Sequence, residues 1–436
     1  MDEKQINIKQ KIFGLILCSI VFAIVYNFTA WYAASFENVP SFVFEIEKNI
    51  PFIASSIIPY MTSGIFFCAV FFVVQTKEQL IVLTKRMLFI ILISGICFML
   101  FPLKFSIAKP EINNSILEIP FLFLQKMDSP FNQSPSLHIA FAFVFWSVFR
   151  NFKSGRRYII IWLILLGIST LTTYQHHLID VFSGAILAQL TFVIFPFRKN
   201  DFQFRNFIVA NFYFLFAWIF AFLALIIQQF VTDFGFIFLW ISLMNFVIGF
   251  HYQKNQTRFL KDKFGTIPLL KKLFYLPYLI VYWFFWKFFR KNKIPVELIS
   301  GLYVSSRLNQ SDLNEFNKDE CNIIVYDLSA ELEEIKELKV NKKYHSVPFL
   351  DIGTFDLITT QNLVNQIFIE YKQRKSNDKI LIHCTMGFTR SSVIGILVMK
   401  KVLSLTLEEV LIIVKSRNKY VVIHSYLFNF MKKVNI

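Results

Sequence analysis

Long apolar runs fill the first 250 residues of the chain and are separated by short polar segments. Several are long enough, or nearly long enough, to cross a bilayer, and they lie at residues 12–34, 56–75, 87–103, 137–150, 158–174, 178–197, 206–228 and 234–250. The run at 137–150 is short and the run at 178–197 contains Asp180, so we expect both to pack inside a helical bundle. The pattern predicts an all-α polytopic membrane bundle over residues 1–250.

A basic linker, residues 251–295, follows the bundle and contains one further apolar stretch at 273–290. This stretch carries Pro277 and has positive charge on both sides. It is either an interfacial anchor or a ninth crossing. We favour the interfacial interpretation, since both flanks have the charge of cytoplasmic segments.

From residue 296 the pattern changes to short β-rich runs that alternate with helix-like ones. The predicted strands are 302–305, 322–326, 344–348 and 379–383. The predicted helices are 311–317, 330–337, 358–374, 391–402, 407–416 and 425–433. Such alternation is typical of an α/β domain with a mainly parallel sheet, which we place at residues 296–436.

Composition supports this division into a membrane part and an α/β part. The chain is 55% hydrophobic with 55 Phe, and all seven Trp and all but seven of the Phe precede residue 295. The five Cys show no paired spacing that would indicate a disulfide framework. The net charge of +16 indicates cytoplasmic loops and contact with a lipid surface. We expect no nucleic-acid partner.

The Lys and Arg residues are unevenly divided between alternate loops of the membrane bundle. One set of loops is strongly basic, whereas the other set holds only Lys48, Lys104, Lys109 and Lys126. With eight crossings, this asymmetry predicts that the N-terminus and the stretch after residue 250 are cytoplasmic. A usage rich in Phe, Ile, Lys and Asn favours a bacterial source, and therefore an integral protein of the inner membrane.

A tight loop within Ile382–Ser392 has Cys384 at one end and Arg390 at the other. An apolar run at 380–382 precedes it and a helix-compatible run at 391–402 follows. A strand–loop–helix of this kind directs backbone N–H groups and a helix N-terminus into a small bowl, which suits a phosphate dianion. Arg390 can close the bowl bidentately. The same positive field favours the thiolate of Cys384, which is the nucleophilic form.

This His-Cys-x5-Arg-Ser motif resembles that of the cysteine-dependent protein tyrosine and dual-specificity phosphatases, and most of all the dual-specificity branch. The resemblance covers about residues 300–436 and implies a cysteine-phosphatase fold with a phosphocysteine intermediate. It implies that Ser391 eases departure of the thiolate and that Gly387 belongs to the substrate-binding loop. His383 either hydrogen-bonds within the loop and tunes Cys384, or is a plain strand-end residue.

Such a phosphatase also needs a general acid for the leaving oxygen. By resemblance this role falls to Asp351, which follows a predicted strand 33 residues before Cys384. Asp327 and Asp356 are rival candidates. The interior of the loop, residues 385–389, adds no charge. This favours a phosphomonoester of modest charge, such as phosphotyrosine, phosphothreonine or a simple lipid phosphate.

Three polar clusters lie at edges of the apolar runs, where polar residues are costly and tend to be functional. By the predicted topology all three face the non-cytoplasmic side. They contain Lys104 and Lys109, then Ser136 and His138, then His176, His177 and Asp180. The alternative is three unrelated polar loops in which the histidines are capping or interfacial residues.

Together these clusters resemble the three-part signature of the type 2 phosphatidic acid phosphatase superfamily, closest to its inositol phosphorylceramide synthase-like branch, over about residues 45–197. The resemblance implies that His176 attacks phosphorus and that Asp180 holds its imidazole. It gives His138 the role of protonating the leaving alkoxide. Lys104 and Lys109, with Ser136, would neutralise the phosphoryl oxygens.

The membrane signature departs from the family pattern at three positions. Lys109 stands where the superfamily usually has Arg, Leu137 replaces a glycine, and Thr170 occupies the position of a usual arginine. Loss of two guanidinium groups weakens bidentate phosphate binding. These departures leave room for phosphotransfer in place of hydrolysis, or for a weakened site.

The sequence therefore predicts a bifunctional membrane phosphatase or phosphotransferase that acts on a lipid phosphate or phosphodiester, with a phosphoprotein as a further possible substrate. Neither family needs a metal, and we expect no cofactor. One alternative is a membrane-anchored protein phosphatase with a catalytically silent membrane half. Another is a non-enzymatic phosphate-binding module, against which the joint presence of Cys384 and Arg390 counts.

Overall fold

A computed structural model describes residues 6–112, 114–199, 201–231, 233–340 and 343–436. The chain forms two compact units. The first comprises the described residues up to Phe197 together with Asn211–Phe246, and the second comprises Arg198–Ala210 with Val247–Ile436. The second unit thus includes residues that the hydrophobic pattern assigned to the membrane domain and to the linker.

The first part of the chain is helical, as predicted, and every predicted apolar run contains a helix. The helices are α1 (Ile8–Ala34), α2 (Ile57–Met61), α3 (Ser63–Val73), α4 (Lys77–Leu100), α5 (Ser115–Met127), α6 (Leu137–Phe149), α7 (Arg156–Thr172), α8 (Leu178–Ile194), α9 (Arg205–Phe230) and α10 (Gly235–Gln253). Helix α5 was not predicted, because Pro120 and polar residues interrupt its apolar pattern.

Five helical segments of the described chain are long and apolar enough to cross a membrane. They are Ile8–Ala34, Ala54–Val73, Lys77–Leu100, Phe202–Phe230 and Gly235–Gln253. Helices α6, α7 and α8 have 13, 17 and 17 residues. At about 1.5 Å per residue these three are shorter than the bilayer core. Helices α6 and α8 bury much of their surface through residues such as Val144, Phe145 and Ala188, as expected for helices packed inside a bundle.

The second unit contains a five-stranded sheet in the order β1-β2-β5-β3-β4. Its strands are β1 (Val296–Ile299), β2 (Leu302–Ser306), β3 (Ile323–Ser329), β4 (Tyr344–Phe349) and β5 (Lys379–Cys384). Strand β1 pairs antiparallel with β2, and every other pairing is parallel. The predicted mainly parallel sheet is confirmed, although β1 was not predicted.

Helices flank this sheet, and its core is formed by apolar side chains of the strands and of several helices. The helices are α11 (Leu269–Phe274), α12 (Leu276–Phe289), α13 (Gln310–Phe316), α14 (Lys336–Val340), α15 (Leu357–Gln373), α16 (Arg390–Leu403), α17 (Leu407–Arg417) and α18 (Ser425–Lys433). Ile380 and Ile382 of β5 pack in one buried cluster with Val393 and Leu397 of α16. This packing fixes the point where β5 ends and α16 begins.

The predicted helix at 330–337 is wrong over most of its length. Residues 330–335 form a loop, and the helix begins only at Lys336. The run Ala-Glu-Leu-Glu-Glu has strong helix formers, but Glu331 and Glu334 are buried there, the first against the Arg390 guanidinium and the second 3.1 Å from His383 Nε2. Tertiary contacts therefore determine the conformation of this segment.

The segment that precedes β1 is part of the α/β unit and does not behave as a free linker. Lys261 is buried, and its ammonium lies 2.8 Å from the Asp327 carboxylate of β3. The indole N–H of Trp286 donates to the Arg307 carbonyl over 2.8 Å. Phe202, from the 198–210 segment, belongs to the central hydrophobic cluster. Both segments thus complete the core around the sheet.

Candidate active sites

The Cys384 loop lies at the carboxyl ends of three parallel strands. Strand β5 ends at Cys384, which is in register with Ser306 at the end of β2. Strand β3 pairs on the other side of β5 and ends at Ser329. Helix α16 begins at Arg390, so its N-terminus points into the loop. The carboxyl ends of strands in parallel α/β sheets are where ligands usually bind.

Gly387 lets the loop close around the sulfur atom. Its φ is +79°, and an added Cβ would lie 2.6 Å from the Ser306 backbone nitrogen. The Gly387 N–H donates to Cys384 Sγ over 3.3 Å. Its carbonyl accepts a 3.1 Å hydrogen bond from Asn292 Nδ2. Only glycine fits this conformation and this space, and a backbone donor is thereby directed at the nucleophile.

Cys384 itself is buried and has a hydroxyl beside it. Ser391 Oγ lies 3.5 Å from Cys384 Sγ. The same hydroxyl is within 3.3 Å of the Ser305 carbonyl, to which it can donate. Ser391 therefore lies where it could donate a hydrogen bond to the departing thiolate, which is the role that the sequence predicts for it.

Arg390 is held by a buried carboxylate that sequence reasoning missed. Its Nη1 donates to both carboxylate oxygens of Glu331, over 3.0 and 2.9 Å, and to the Phe349 carbonyl over 2.8 Å. Its Nη2 reaches Thr385 Oγ1 at 3.3 Å. Burial alone would lower the pKa of Arg390, but the Glu331 and Asp351 carboxylates raise it well above its usual value. The guanidinium is therefore a permanent positive charge at the edge of the bowl.

Asp351 is the one of the three candidate acids that lies beside Arg390. Its Oδ1 is 3.2 Å from Arg390 Nη2, and its side chain is 26% exposed. Two tyrosines outside the sheet hold it: Tyr282 donates to Oδ2 over 3.3 Å, and Tyr252 donates to the Asp351 carbonyl over 3.1 Å. An acid so placed can reach a substrate oxygen above the bowl.

The rival acids have structural partners elsewhere. Asp327 is fully buried and pairs with Lys261. Asp356 is the N-cap of α15, where its Oδ2 accepts the Thr359 N–H over 2.7 Å. These contacts leave Asp351 as the acid that the geometry favours.

His383 lies outside the bowl. It is fully buried, and its Nε2 is 3.1 Å from Glu334 Oε2 and 3.9 Å from Asp327 Oδ1. Its ring therefore faces the Glu334 and Asp327 carboxylates. This position does not fit the predicted alternative in which His383 hydrogen-bonds within the loop. A direct contact with substrate does not fit this burial.

Comparison of the fold with solved structures gives tyrosine and dual-specificity phosphatase structures. They include Tk-PTP in its active form, with 20% identity and a TM-score of 0.29 over 32% of this chain and 95% of that one. A human tyrosine phosphatase-like serine/threonine/tyrosine-interacting protein has 14% identity and a TM-score of 0.29, over 32% and 95% of the two chains. A variant of human DUSP28 has 14% identity and a TM-score of 0.28, over 32% and 93%.

No family model and no curated protein sequence matches the chain. The fold similarity to solved structures covers about a third of the chain at low identity. A similarity this weak does not show a shared activity.

In the first unit, two of the three predicted polar clusters meet through the backbone. The Ser136 N–H donates to the Asp180 carbonyl over 2.9 Å. A Cβ on Gly184 would lie 2.6 Å from the Ser136 carbonyl oxygen, so glycine there allows α8 to approach the start of α6 closely. The N-terminal ends of α6 and α8 are therefore adjacent, and each carries candidate residues.

The two candidate histidines lie close to each other at this junction. The ring centroids of His138 and His176 are 5.7 Å apart. His176 Nδ1 lies 3.4 Å from Asp180 Oδ2, but that oxygen also accepts the His177 N–H over 2.8 Å. His176 also donates its backbone N–H to the carbonyl of Thr170 over 3.0 Å.

Lys104 and Lys109 have exposed side chains. For these two side chains the structure gives no hydrogen bond or ion pair to the histidine cluster within its described residues. The Lys104 backbone N–H donates to the Pro40 carbonyl over 2.9 Å. The structure thus brings together Ser136, His138, His176 and Asp180. The segment that carries the two exposed lysines also reaches this region, because the Ser106 N–H donates to His177 Nε2 over 3.3 Å and Lys109 interacts electrostatically with Asp128.

Two acids of this region were missed by sequence reasoning. Glu47, in a short 3-10 helix, lies 2.8 Å from His177 Nδ1, and both side chains are buried. Asp128 accepts hydrogen bonds from Tyr26 and, over 3.2 Å, from Tyr60, whose ring stacks on His138. Both acids are far from their partners in sequence, and neither lies in a recognisable motif.

Proposed function

We propose that the α/β unit is a cysteine-dependent phosphatase of phosphomonoesters. The observation that supports this most directly is the arrangement of Cys384 Sγ, the Gly387 N–H, the Ser391 hydroxyl and the Arg390 guanidinium around one loop, with Asp351 beside it. A nucleophile, oxyanion donors, a cation and an acid within one site are what acyl- and phosphoryl-transfer enzymes require.

The proposed reaction has two displacements at phosphorus. The Cys384 thiolate forms the S–P bond as the ester O–P bond breaks, and Asp351 gives its proton to the leaving oxygen. Water then attacks the phosphocysteine, with Asp351 accepting its proton, and the S–P bond breaks to release inorganic phosphate. Ser391 donates a hydrogen bond to the departing thiolate, while Arg390 neutralises the phosphoryl oxygens in both steps.

The direct test of this proposal is release of inorganic phosphate by the purified full-length protein from phosphotyrosine peptide, phosphothreonine peptide, phosphatidic acid and phosphatidylglycerophosphate. The loop adds no charge beyond Arg390, so we expect turnover of a substrate of modest charge. Turnover of none of them would favour the phosphate-binding alternative.

Replacing Asp351 with asparagine should lower turnover of an alkyl or tyrosine phosphate by about 100- to 10,000-fold, since the leaving oxygen loses its proton donor. The loss should be much smaller for p-nitrophenyl phosphate, whose phenolate departs without protonation. Steady-state kinetics on both substrates measures the difference. Asp356→Asn, a change of the α15 N-cap, is the matched control and should affect both substrates equally and weakly.

We infer a second activity in the first unit, histidine-dependent hydrolysis or head-group transfer on a lipid phosphate. It is supported by the 5.7 Å separation of the His138 and His176 rings and by Asp180 at 3.4 Å from His176. His176 would form a phosphohistidine while His138 protonates the leaving alkoxide, and water or a lipid hydroxyl would then accept the phosphoryl group. Because the Lys104 and Lys109 side chains are exposed, we expect this site to bind the phosphate group weakly.

Replacing His176 with alanine should abolish this second activity, because the nucleophile is lost. The measurement is turnover of phosphatidic acid and of phosphatidylglycerophosphate in a Cys384→Ser background, which removes the other proposed site. Turnover of p-nitrophenyl phosphate by His176→Ala alone controls for folding and should stay at the original rate. If Cys384→Ser already removes all lipid turnover, the membrane half is a silent anchor.

The orientation that we propose places the α/β unit in the cytoplasm of a bacterium, with the histidine cluster on the other side of the inner membrane. The five apolar helices are compatible with membrane insertion, and a reduced Cys384 suits the cytosol. Protease protection of inside-out and right-side-out vesicles would test this orientation.

A further inference from the structure

Helix α12 has an apolar surface that the α/β unit covers only along a narrow stripe. Tyr275, Tyr278 and Trp286 are buried at spacings of three, eight and eleven residues, which puts them on one side of the helix. The remaining surface is exposed and almost entirely apolar. With the neighbouring part of α11 it forms a surface, here called the α11–α12 face, which includes Leu270, Ile280, Trp283, Phe284, Phe285 and Phe288.

The buried stripe contacts the α/β unit along the whole helix. Tyr275 Oη is 3.2 Å from His251 Nε2 near the start, Tyr282 donates to Asp351 in the middle, and Trp286 donates to the Arg307 carbonyl near the end. A 14-residue helix of about 21 Å that lies along a folded domain does not also cross a bilayer. This geometry favours the interfacial interpretation over a ninth crossing.

The charge around this face matches an anionic membrane surface. Residues 247–295 contain ten Lys and Arg, eight of which are not buried, but only one acid, Asp262. Lys287, whose ammonium lies 4.8 Å from the Trp283 ring centre, is the charged residue within α12 itself. Aromatic rings with basic residues at their edge are typical of helices that lie in the headgroup layer. The chain also reaches this face from α10, a candidate membrane span that ends at Gln253.

A cavity of about 710 Å³ adjoins the face and combines basic with apolar walls. Arg258 and Lys271 are the basic residues of its lining, which also includes His251, Leu270 and Phe274. Such a lining suits an amphiphile with a negative head, and Leu270 belongs to both the cavity and the face. The same lipid class therefore fits the cavity and the charge of the surrounding segment.

We propose that the α11–α12 face lies in the headgroup layer of an anionic bilayer and holds the Cys384 bowl at the membrane surface, so that its substrate is the phosphomonoester head group of a membrane lipid. This rests on the proposed phosphatase function. The bowl is close to the face because Tyr282 of α12 donates a hydrogen bond to Asp351, which in turn contacts Arg390. Two other partners would occupy the same face in place of lipid: a soluble phosphoprotein, or a second copy of the chain.

Photo-crosslinking of the full-length protein in bilayers tests the docking without reference to activity. Benzoylphenylalanine would replace Phe284, which is 47% exposed, or the control Ile369 of α15, which is 53% exposed. In phosphatidylglycerol-containing bilayers we expect lipid adducts at position 284 to exceed those at 369 by about tenfold. Equal lipid adducts at the two positions, or crosslinking of position 284 to a second copy, would overturn the proposal.

Turnover measurements then connect the docking to the substrate. In a His176→Ala background, the double variant Phe284→Asp/Phe288→Asp should retain turnover of p-nitrophenyl phosphate and lose about tenfold in turnover of phosphatidic acid in vesicles, since charge on the face opposes insertion. Ile369→Asp is the matched control and should change neither rate. Equal retention of both activities by the double variant rejects the docking inference, whereas absence of both activities from the parent protein rejects the phosphatase itself.

Discussion

Replacing Cys384 with serine is expected to lower phosphomonoester turnover by more than about 1,000-fold, because the nucleophile of the first displacement is lost. A serine hydroxyl is a weak nucleophile without an adjacent base. The side chain that lies 3.5 Å from Cys384 Sγ is the Ser391 hydroxyl, and a hydroxyl group is not a base that could activate the new serine. Phosphate release from p-nitrophenyl phosphate and from the best substrate of the panel measures the loss.

The same variant should still bind phosphate, since Arg390 and the Gly387 N–H remain in place. Acid quenching of the unmodified protein with radiolabelled substrate should trap phosphate on Cys384, and the variant should show none there. Cys321→Ser is the control, because this cysteine lies in the loop before β3 and away from the bowl. Undiminished turnover by Cys384→Ser, with Cys321→Ser equally active, would show that another residue carries out the reaction.

Replacing Lys261 with methionine is expected to destabilise the α/β unit by about 3–5 kcal/mol, because it leaves the buried Asp327 carboxylate without its cation. Both side chains are fully buried, and the ion pair is 2.8 Å long. Tyr344 also donates to Asp327 over 2.7 Å, but a neutral hydroxyl does not replace a charge. Denaturant-dependent loss of p-nitrophenyl phosphate turnover by the detergent-solubilised protein measures the effect.

Two companion variants separate this charge effect from simple loss of packing. Lys263→Met changes an exposed lysine two residues away and should leave stability nearly unchanged. Combining Lys261→Met with Asp327→Leu should recover most of the loss, because no buried charge then remains. A double variant as unstable as the single one would mean that the ion pair is not the cause.

The Lys261–Asp327 pair also predicts a direction of pH dependence. Burial would raise the pKa of Asp327, yet Lys261 and His383 outweigh it and hold that pKa below its ordinary value. A carboxyl group with a depressed pKa contributes stability above its unfolded-state pKa, and the contribution is lost as the pH falls through the folded-state pKa. The difference in stability between the original protein and Lys261→Met should therefore shrink on acidification.

Local patterns were sufficient to predict the apolar helices of the first part of the chain, the mainly parallel sheet and the loop that carries Cys384, Arg390 and Ser391. In these places the deciding signal lies within a few neighbouring residues: hydrophobic runs, β-branched alternation, and a nucleophile and a cation at fixed spacing. The bowl could be outlined before the structure because strand, loop and helix follow one another directly in the chain.

What could not be predicted depends on partners that are distant in sequence. Glu331 accepts a hydrogen bond from Arg390, which is 59 residues away in the sequence. The local sequence around Glu331 favours a helix, but this ion pair overrides that preference. Lys261 and Tyr282 lie in a segment whose composition indicates a membrane linker, so nothing local assigns them to the α/β unit. The contact of Glu47 with His177 spans 130 residues and has no motif at either end.

The segment before β1 has an unusual consequence for the fate of the protein after proteolysis. Many tethered enzymes become free and active when their membrane stalk is cut. Here a cut within residues 291–295 would separate the sheet from Lys261, whose charge balances that of Asp327. It would also separate the sheet from Tyr252 and Tyr282, which donate hydrogen bonds to Asp351. If the severed piece dissociated, the liberated fragment would carry Cys384 and Arg390 but no positioned acid and one uncompensated interior charge. Cleavage here would thus end the proposed phosphatase activity rather than free an active fragment.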